Sequence, residues 1–313
     1  MKFSVGLQYL NRPFIDCIKE NKNHIYEVYF SWADFPNGRS NQLMNDNYTS
    51  WEMLDIQRSV LKEISECGID LNLLFNANCY GAESLSNSFY NKIGETVDYI
   101  NQNYRLKSIT TTSPLIAEFI KSNFENLKTR ASVNMEIGSI PGMEYVSKYF
   151  DGYYMKRELN RDFESIKILS GWCKENGKEF YMLANSGCLN YCSAHNFHDN
   201  LVAHENEISK MDNAYNFKGI CHQFLKDEKN YSKLINYTNF VRPEDIYKYE
   251  EYFAAAKLAT RIHKAPQSVL NSYVRGKFSG DILSVLEPAH SIYPYVLENG
   301  EPLKLVKLNT DIM

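Results

Sequence analysis

The sequence predicts a (β/α)8 barrel with a short C-terminal extension. Three observations predict it. Apolar, strand-like runs alternate with amphipathic helical segments along the chain, and that alternation implies parallel strands joined by crossover helices. About eight such units follow one another without a break in composition, as a closed barrel requires. The competing fold, a doubly wound open sheet, carries a Gly-x-Gly-x-x-Gly loop after its first strand, and none follows the first run here.

The totals agree with a large soluble domain. The chain has 313 residues, 44% of them hydrophobic and 23% charged. A core of that size needs no disulfide staples. The formal net charge is −4, so any surface for RNA would have to be local. The opening residues reach polar Gln8 and Asn11 before any long apolar segment builds up. No signal peptide and no membrane span are therefore expected. Seven cysteines, an odd number, favour thiols or metal ligands over a disulfide framework. A cytoplasmic protein is expected.

Taken in order, the expected strands are 3–9, 25–31, 71–76, 108–112, 130–134, 153–157, 180–184 and 240–242, with a ninth short run at 257–260. The expected helices are 13–21, 50–67, 91–103, 115–126, 143–150, 163–176 and 244–253. Thr49 and Glu52 have the spacing of a capping box before the second helix. Gly177 stops the sixth, and Pro243 starts the seventh. Long loops are expected at 33–48 and 198–218, and loops of that length often carry function. Residues 1–275 read as the barrel and 276–313 as an extension packed on it.

One stretch concentrates the chemistry: Asn185-Ser-Gly-Cys-Leu-Asn-Tyr-Cys-Ser-Ala-His-Asn-Phe-His198 directly follows the apolar run 180–184. Gly187 suits a sharp turn with a close approach. Six of the seven histidines lie from residue 195 onward. Cys17, Cys67 and Cys173 fall in helical segments and read as small packing residues. Cys79 and Cys188 follow strands, with Cys192 close behind, and all strand C-termini of a barrel open on its active face. Cys221 lies in the long segment before the run 240–242 and can reach that face. Cys79, Cys188, Cys192 and Cys221 are thus candidate metal ligands. They suit a [4Fe–4S] cluster or, alternatively, zinc. A three-cysteine cluster with Cys79 as a bystander is a variant of the same reading. Cys188-x3-Cys192-x2-His195 stops one thiolate short of the Cys-x3-Cys-x2-Cys pattern of radical enzymes.

Other candidates surround the cysteines. His195 and His198 suit proton transfer, having ordinary pKa values near neutrality. Arg157 and Glu158 end the sixth strand. Arg242, Glu244, Lys257 and Arg261 cluster around the last runs and make a basic-lined pocket for a carboxylate or phosphate. Asn76, Asn134 and Asn185 end or follow strands, where they can hydrogen-bond a ligand. His290 could close the pocket from the tail.

Asn-Ser-Gly-Cys-Leu-Asn-Tyr-Cys after a strand, Arg157-Glu158-Leu159 one unit earlier, and Val241-Arg-Pro-Glu-Asp-Ile-Tyr-Lys-Tyr249 followed by Lys257-Leu-Ala-Thr-Arg261 together resemble the peptidase U 32, or collagenase-like, family. The resemblance runs over about residues 1–275 as an order of elements, and its motifs lie after residue 155. It implies a modified barrel with a [4Fe–4S] cluster on four cysteines and an oxygen-independent hydroxylase acting on RNA or a quinone precursor, in some members with prephenate as oxygen donor. Cys188 and Cys192 match the family's paired cysteines and Cys221 a downstream ligand. Cys79 falls on no family motif. The Cys-x6-Cys spacing and the additional C-terminal domain of the RNA-modifying members are missing here, so the substrate does not transfer.

Three functions follow as expectations. The first is an iron–sulfur oxidoreductase of the hydroxylase type, acting on a small or RNA-borne substrate with a carboxylate donor. The second is a zinc hydrolase or peptidase, although no His-Glu-x-x-His helix is present. The third is a cluster-bearing, non-catalytic partner subunit of a hetero- or homo-oligomer.

Overall fold

The computed structural model describes residues 1–33, 35–38, 47–213, 217, 219–290, 297–298 and 301–302. Eight strands close into a barrel in sequence order: β1 (Phe3–Gly6), β2 (Ile25–Ser31), β3 (Leu71–Phe75), β4 (Leu106–Thr111), β5 (Lys128–Ala131), β6 (Gly152–Tyr154), β7 (Glu179–Leu183) and β8 (Ala255–Leu258). Every neighbouring pair is parallel, and β8 pairs with β1 to close the ring.

The helices between them form where the sequence supplies caps. Asn11 accepts from Phe14 N–H at the start of α1 (Arg12–Glu20), which buries Phe14, Ile15, Cys17 and Ile18. Thr49 and Glu52 make a full capping box on α2 (Ser50–Glu66). Then come α3 (Asn87–Asn103), α4 (Pro114–Asn123), α5 (Ile140–Glu144) and α6 (Phe163–Glu175). Gly177, at φ +63°, lies just past α6. Between β7 and β8 the chain winds through α7 (His195–Ala203), α8 (Glu205–Ile208), α9 (Ile220–Phe224), α10 (Glu228–Tyr231) and α11 (Leu234–Tyr237). After β8, α12 (Pro266–Arg275) ends at Gly276 in the left-handed region. Leu297–Glu298 and Glu301–Pro302 pair as a two-stranded ribbon.

The expected run 240–242 is not the eighth strand; 255–258 is. Residues 240–242 instead lie across the end of β7, with Val241 N–H donating to Ala184 O at 2.7 Å. Pro243 has no N–H to extend that pairing, and a 3-10 segment begins there. That segment, Pro243–Tyr249, replaces the expected helix 244–253. The helix expected at 143–150 starts earlier and is shorter, because Ser139 caps it before Pro141. Much of the expected loop 33–48, and of the extension beyond residue 290, lies outside the described residues.

The barrel interior holds a polar layer. Arg130 Nη1 donates to both Glu27 carboxylate oxygens at 2.6 Å. Asn72, Ser4 and Ser108 also donate to that carboxylate, at 2.9, 3.1 and 3.2 Å. The Arg130 guanidinium sits 4.4 Å from the Tyr181 ring centroid, a cation–π distance. The pair is fully buried, and its charges are balanced by each other and by these donors.

Candidate functional site

The C-terminal ends of the strands carry a cavity of about 50 Å³ at the barrel mouth. Asn76 follows β3, Asn134 follows β5, Arg157 follows β6, Lys257 lies in β8 and Arg261 follows it; all five line the cavity. Lys257 Nζ stands 4.1 Å from the centroid of Tyr29 and 5.3 Å from that of Tyr154. Asn134 Nδ2 donates to Asn76 O at 3.3 Å, which ties the two asparagines together. Three cations and two amides therefore meet one carboxylate, Glu287, on this wall.

A second cavity, of about 240 Å³, adjoins the first. Cys188, Cys192 and Cys221 line it, with His195, His198 and Asp199. Burial pushes the Cys221 thiol above its ordinary pKa, and charge on Cys188 and Cys192 adds to the rise. The three thiols thus lie within electrostatic reach of one another. Ile262 and Glu287 belong to both cavities. Arg157 spans them: it lines the first, and its Nη1 is 3.5 Å from Cys188 Sγ in the second.

His195 is held on several sides. Nδ1 lies 2.8 Å from Glu136 Oε1, and Nε2 lies 3.2 Å from buried Asp199 Oδ2. Arg157 Nη2 hydrogen-bonds the same ring. With Nδ1–H donating to Glu136, a neutral ring accepts from Arg157 at Nε2; a proton taken up there is offered to Asp199. Glu136 is one of two described non-glycine residues at positive φ, at 52°. That uncommon conformation aims its carboxylate at His195. The other is Tyr191, at φ 55°, inside the turn from Cys188 to Cys192.

Not every expected residue lines these two cavities. Cys79 lies on a different cavity, with Asn78 and Gly81. Asn185 is buried and structural: its amide donates to Val285 O at 3.0 Å and accepts from Ala259 N–H at 2.6 Å. Arg242 and Glu244 pair at 3.4 Å away from both cavities, and Glu244 also accepts from Phe278 N–H at 2.6 Å. The reason is the misplaced eighth strand, since residues after 240–242 are not at a strand end. Glu158 lines neither cavity; its Oε1 accepts from Tyr191 N–H at 3.4 Å and so steadies the cysteine turn. His290 is buried and hydrogen-bonds Gly187 O at 2.7 Å.

The extension completes the site. Gly187 N–H donates to Glu287 O, and Glu287 N–H to Asn185 O, both at 2.9 Å. A Cβ on Gly187 would lie 2.1 Å from Pro288 O. The close approach that this glycine permits is therefore to the tail. Gly187→Ala is expected to lose about 1–3 kcal/mol through the forced shift, read as a lower denaturation midpoint. An unchanged midpoint would mean that the tail is not packed on this turn.

Reasoning from sequence missed Glu136, Asp199 and Glu287. Asp199 had a signal, four residues past His195 on one helix face, hidden because that segment reads as loop. Glu136 and Glu287 are placed by the fold alone.

The donor set constrains the metal. Tetrahedral zinc–sulfur bonds of about 2.3 Å require sulfurs about 4 Å apart. Among the described residues, no group of three or more His, Cys, Asp or Glu is gathered so as to hold a metal ion. Three cysteines on one cavity are donors that zinc and an iron–sulfur cluster share. No helix among the described residues is long and apolar enough to cross a membrane.

No protein-family model matches the chain, and no curated protein matches it in sequence. In structure it is similar to the U32 peptidase Mk0906, with 13% identity and a TM-score of 0.58 over 82% of this chain and 91% of that one. It also aligns with a GH113 beta-1,4-mannanase at 9% identity and a TM-score of 0.40, covering 88% and 98% of the two chains. The first of these likenesses shows a shared barrel fold.

Proposed function

We propose that the chain is an iron–sulfur oxidoreductase of the oxygen-independent hydroxylase type, acting on a small carboxylate-bearing substrate or donor. The observation that carries this reading is the shared wall. A three-thiol cavity and a cationic pocket have Ile262 and Glu287 in common, and Arg157 reaches both. The U32-like fold supports it.

Cys188, Cys192 and Cys221 would hold a [4Fe–4S] cluster, leaving one iron to a non-cysteine ligand or to substrate. Such a cluster supplies electrons or a Lewis-acidic iron. Arg157, Lys257 and Arg261 bind and orient the carboxylate, with Asn76 and Asn134 fixing its direction through hydrogen bonds. His195 moves a proton at Nε2, held in line by Glu136 and Asp199. His198, on the rim of the thiol cavity, exchanges that proton with solvent. The barrel-mouth cavity, at about 50 Å³, admits a small acid more readily than a nucleotide within RNA.

Titration with a panel of mono- and dicarboxylates tests the pocket. Lys257→Met and Arg261→Met are each expected to weaken the tightest ligand by about 10–100-fold, the value of one charge-assisted hydrogen bond. Equal affinity in wild type and both variants would remove the carboxylate assignment.

A further inference from the structure

We propose that the ligand of the barrel mouth is a sugar acid, with its carboxylate among Arg157, Lys257 and Arg261 and its hydroxylated body in the cavity beside Cys79. This rests on the carboxylate reading of the mouth and adds the chemistry of the rest of the molecule. The cavity beside Cys79 is open, about 530 Å³ in volume, and lies at strand C-termini like the mouth itself. Asn134 lines both, so one ligand can pass from the first to the second along that side chain. Asn78 follows β3, Thr112 and Ser113 follow β4, and Asn196 and Asn200 lie on α7; all five line the larger cavity.

Its wall is polar and uncharged. No Asp, Glu, Lys, Arg or His among the described residues lines it, whereas three cations line the mouth. A charged body would find no counter-ion there. An apolar body would strip water from the amides without replacing its hydrogen bonds. A hydroxyl group both donates and accepts, and the wall calls for both. Asn78 Nδ2 donates to Asp199 Oδ2 at 3.4 Å, which sets the amide's orientation, because a carboxylate takes the NH2 side. Asn78 Oδ1 is buried and meets no donor among the described residues, so a ligand O–H given to it relieves a desolvation cost. Ser113 Oγ accepts from Ile116 N–H at 3.3 Å and keeps its own O–H to donate. Thr112 Oγ1 donates to Ala77 O and keeps lone pairs to accept. Asn196 and Asn200, both exposed and one turn apart, add two more amides.

The probes are D-gluconate, hexanoate, sorbitol and N-acetyldiglycine, each titrated into the intact protein by calorimetry. D-Gluconate is expected to bind about 10–100-fold tighter than hexanoate, its counterpart without hydroxyls, as two or three neutral hydrogen bonds would provide. Sorbitol, which lacks the carboxylate, is expected to bind about tenfold or more weakly than gluconate. Asn196→Ala and Asn200→Ala stand at exposed helix positions that alanine favours. Each is expected to weaken gluconate about 3–10-fold and to leave hexanoate unchanged, a split that a merely structural effect would not give.

Equal affinity for gluconate and hexanoate, with both weakened in Lys257→Met, would overturn the sugar-acid proposal and leave the carboxylate reading standing. Binding of neither acid would overturn that reading and the proposal with it. Sorbitol binding as tightly as gluconate would detach the larger cavity from the mouth and overturn the proposal. Tighter binding of N-acetyldiglycine than of gluconate would overturn it in favour of a peptide acid.

Discussion

Glu27→Ala is expected to destabilise the barrel by about 3–5 kcal/mol, the typical effect of stranding one partner of a buried ion pair. Arg130 would lose both 2.6 Å contacts to the carboxylate, and Asn72, Ser4 and Ser108 would lose an acceptor. The Tyr181 face cannot make up the difference, since a cation–π contact contributes about 1–2 kcal/mol. The double variant Glu27→Ala, Arg130→Met should recover part of the loss, because no charge is left stranded. Urea unfolding followed by circular dichroism measures both. A loss under about 1 kcal/mol in the single variant would mean that water or another group reaches Arg130.

Single replacement of Cys188, Cys192 or Cys221 by Ala should abolish stable cluster binding, whereas Cys79→Ala should leave it intact. Three thiols line one cavity and the fourth lies on another. With two thiolates left, a cluster loses a third of its protein bonds and opens a second iron to solvent. Iron and sulfide content and the visible charge-transfer band after anaerobic purification check each variant. Loss of the cluster in Cys79→Ala would restore the four-cysteine set and require the cysteine turn to move toward β3.

The barrel was legible because its signals are local. Apolar runs such as Phe180–Ala184 and caps such as Thr49 with Glu52 need only neighbours in sequence. The eighth strand was misplaced for a physical reason. Phe240, Val241 and Arg242 have strand-like chemistry and bond to the end of β7, yet the register of the closed barrel gives that place to Ala255–Leu258. Arg242, Glu244 and the expected helix after them moved with that error. That Cys188, Cys192, Arg157 and Lys257 line the two cavities was legible because strand ends point to one face. The separation of Cys79 was not, since it depends on where β3 and β7 come to lie around the closed barrel. Likewise Glu27 and Arg130 meet across the barrel, 103 residues apart, and only closure of the sheet brings them together. The long stretch after β7 reads as loop because its helices are short and weakly amphipathic, which hid Asp199 behind His195.

The most direct test is metal and sulfide analysis of the wild-type protein, purified without oxygen, with iron, acid-labile sulfide and zinc measured on one sample. Iron and sulfide at about four each per chain, with zinc well below one, is the result expected of the three-thiol cavity. One zinc per chain without sulfide, or neither metal with all seven cysteines titrating as thiols, would contradict the cluster reading and leave the cationic barrel mouth as a site for chemistry of another kind.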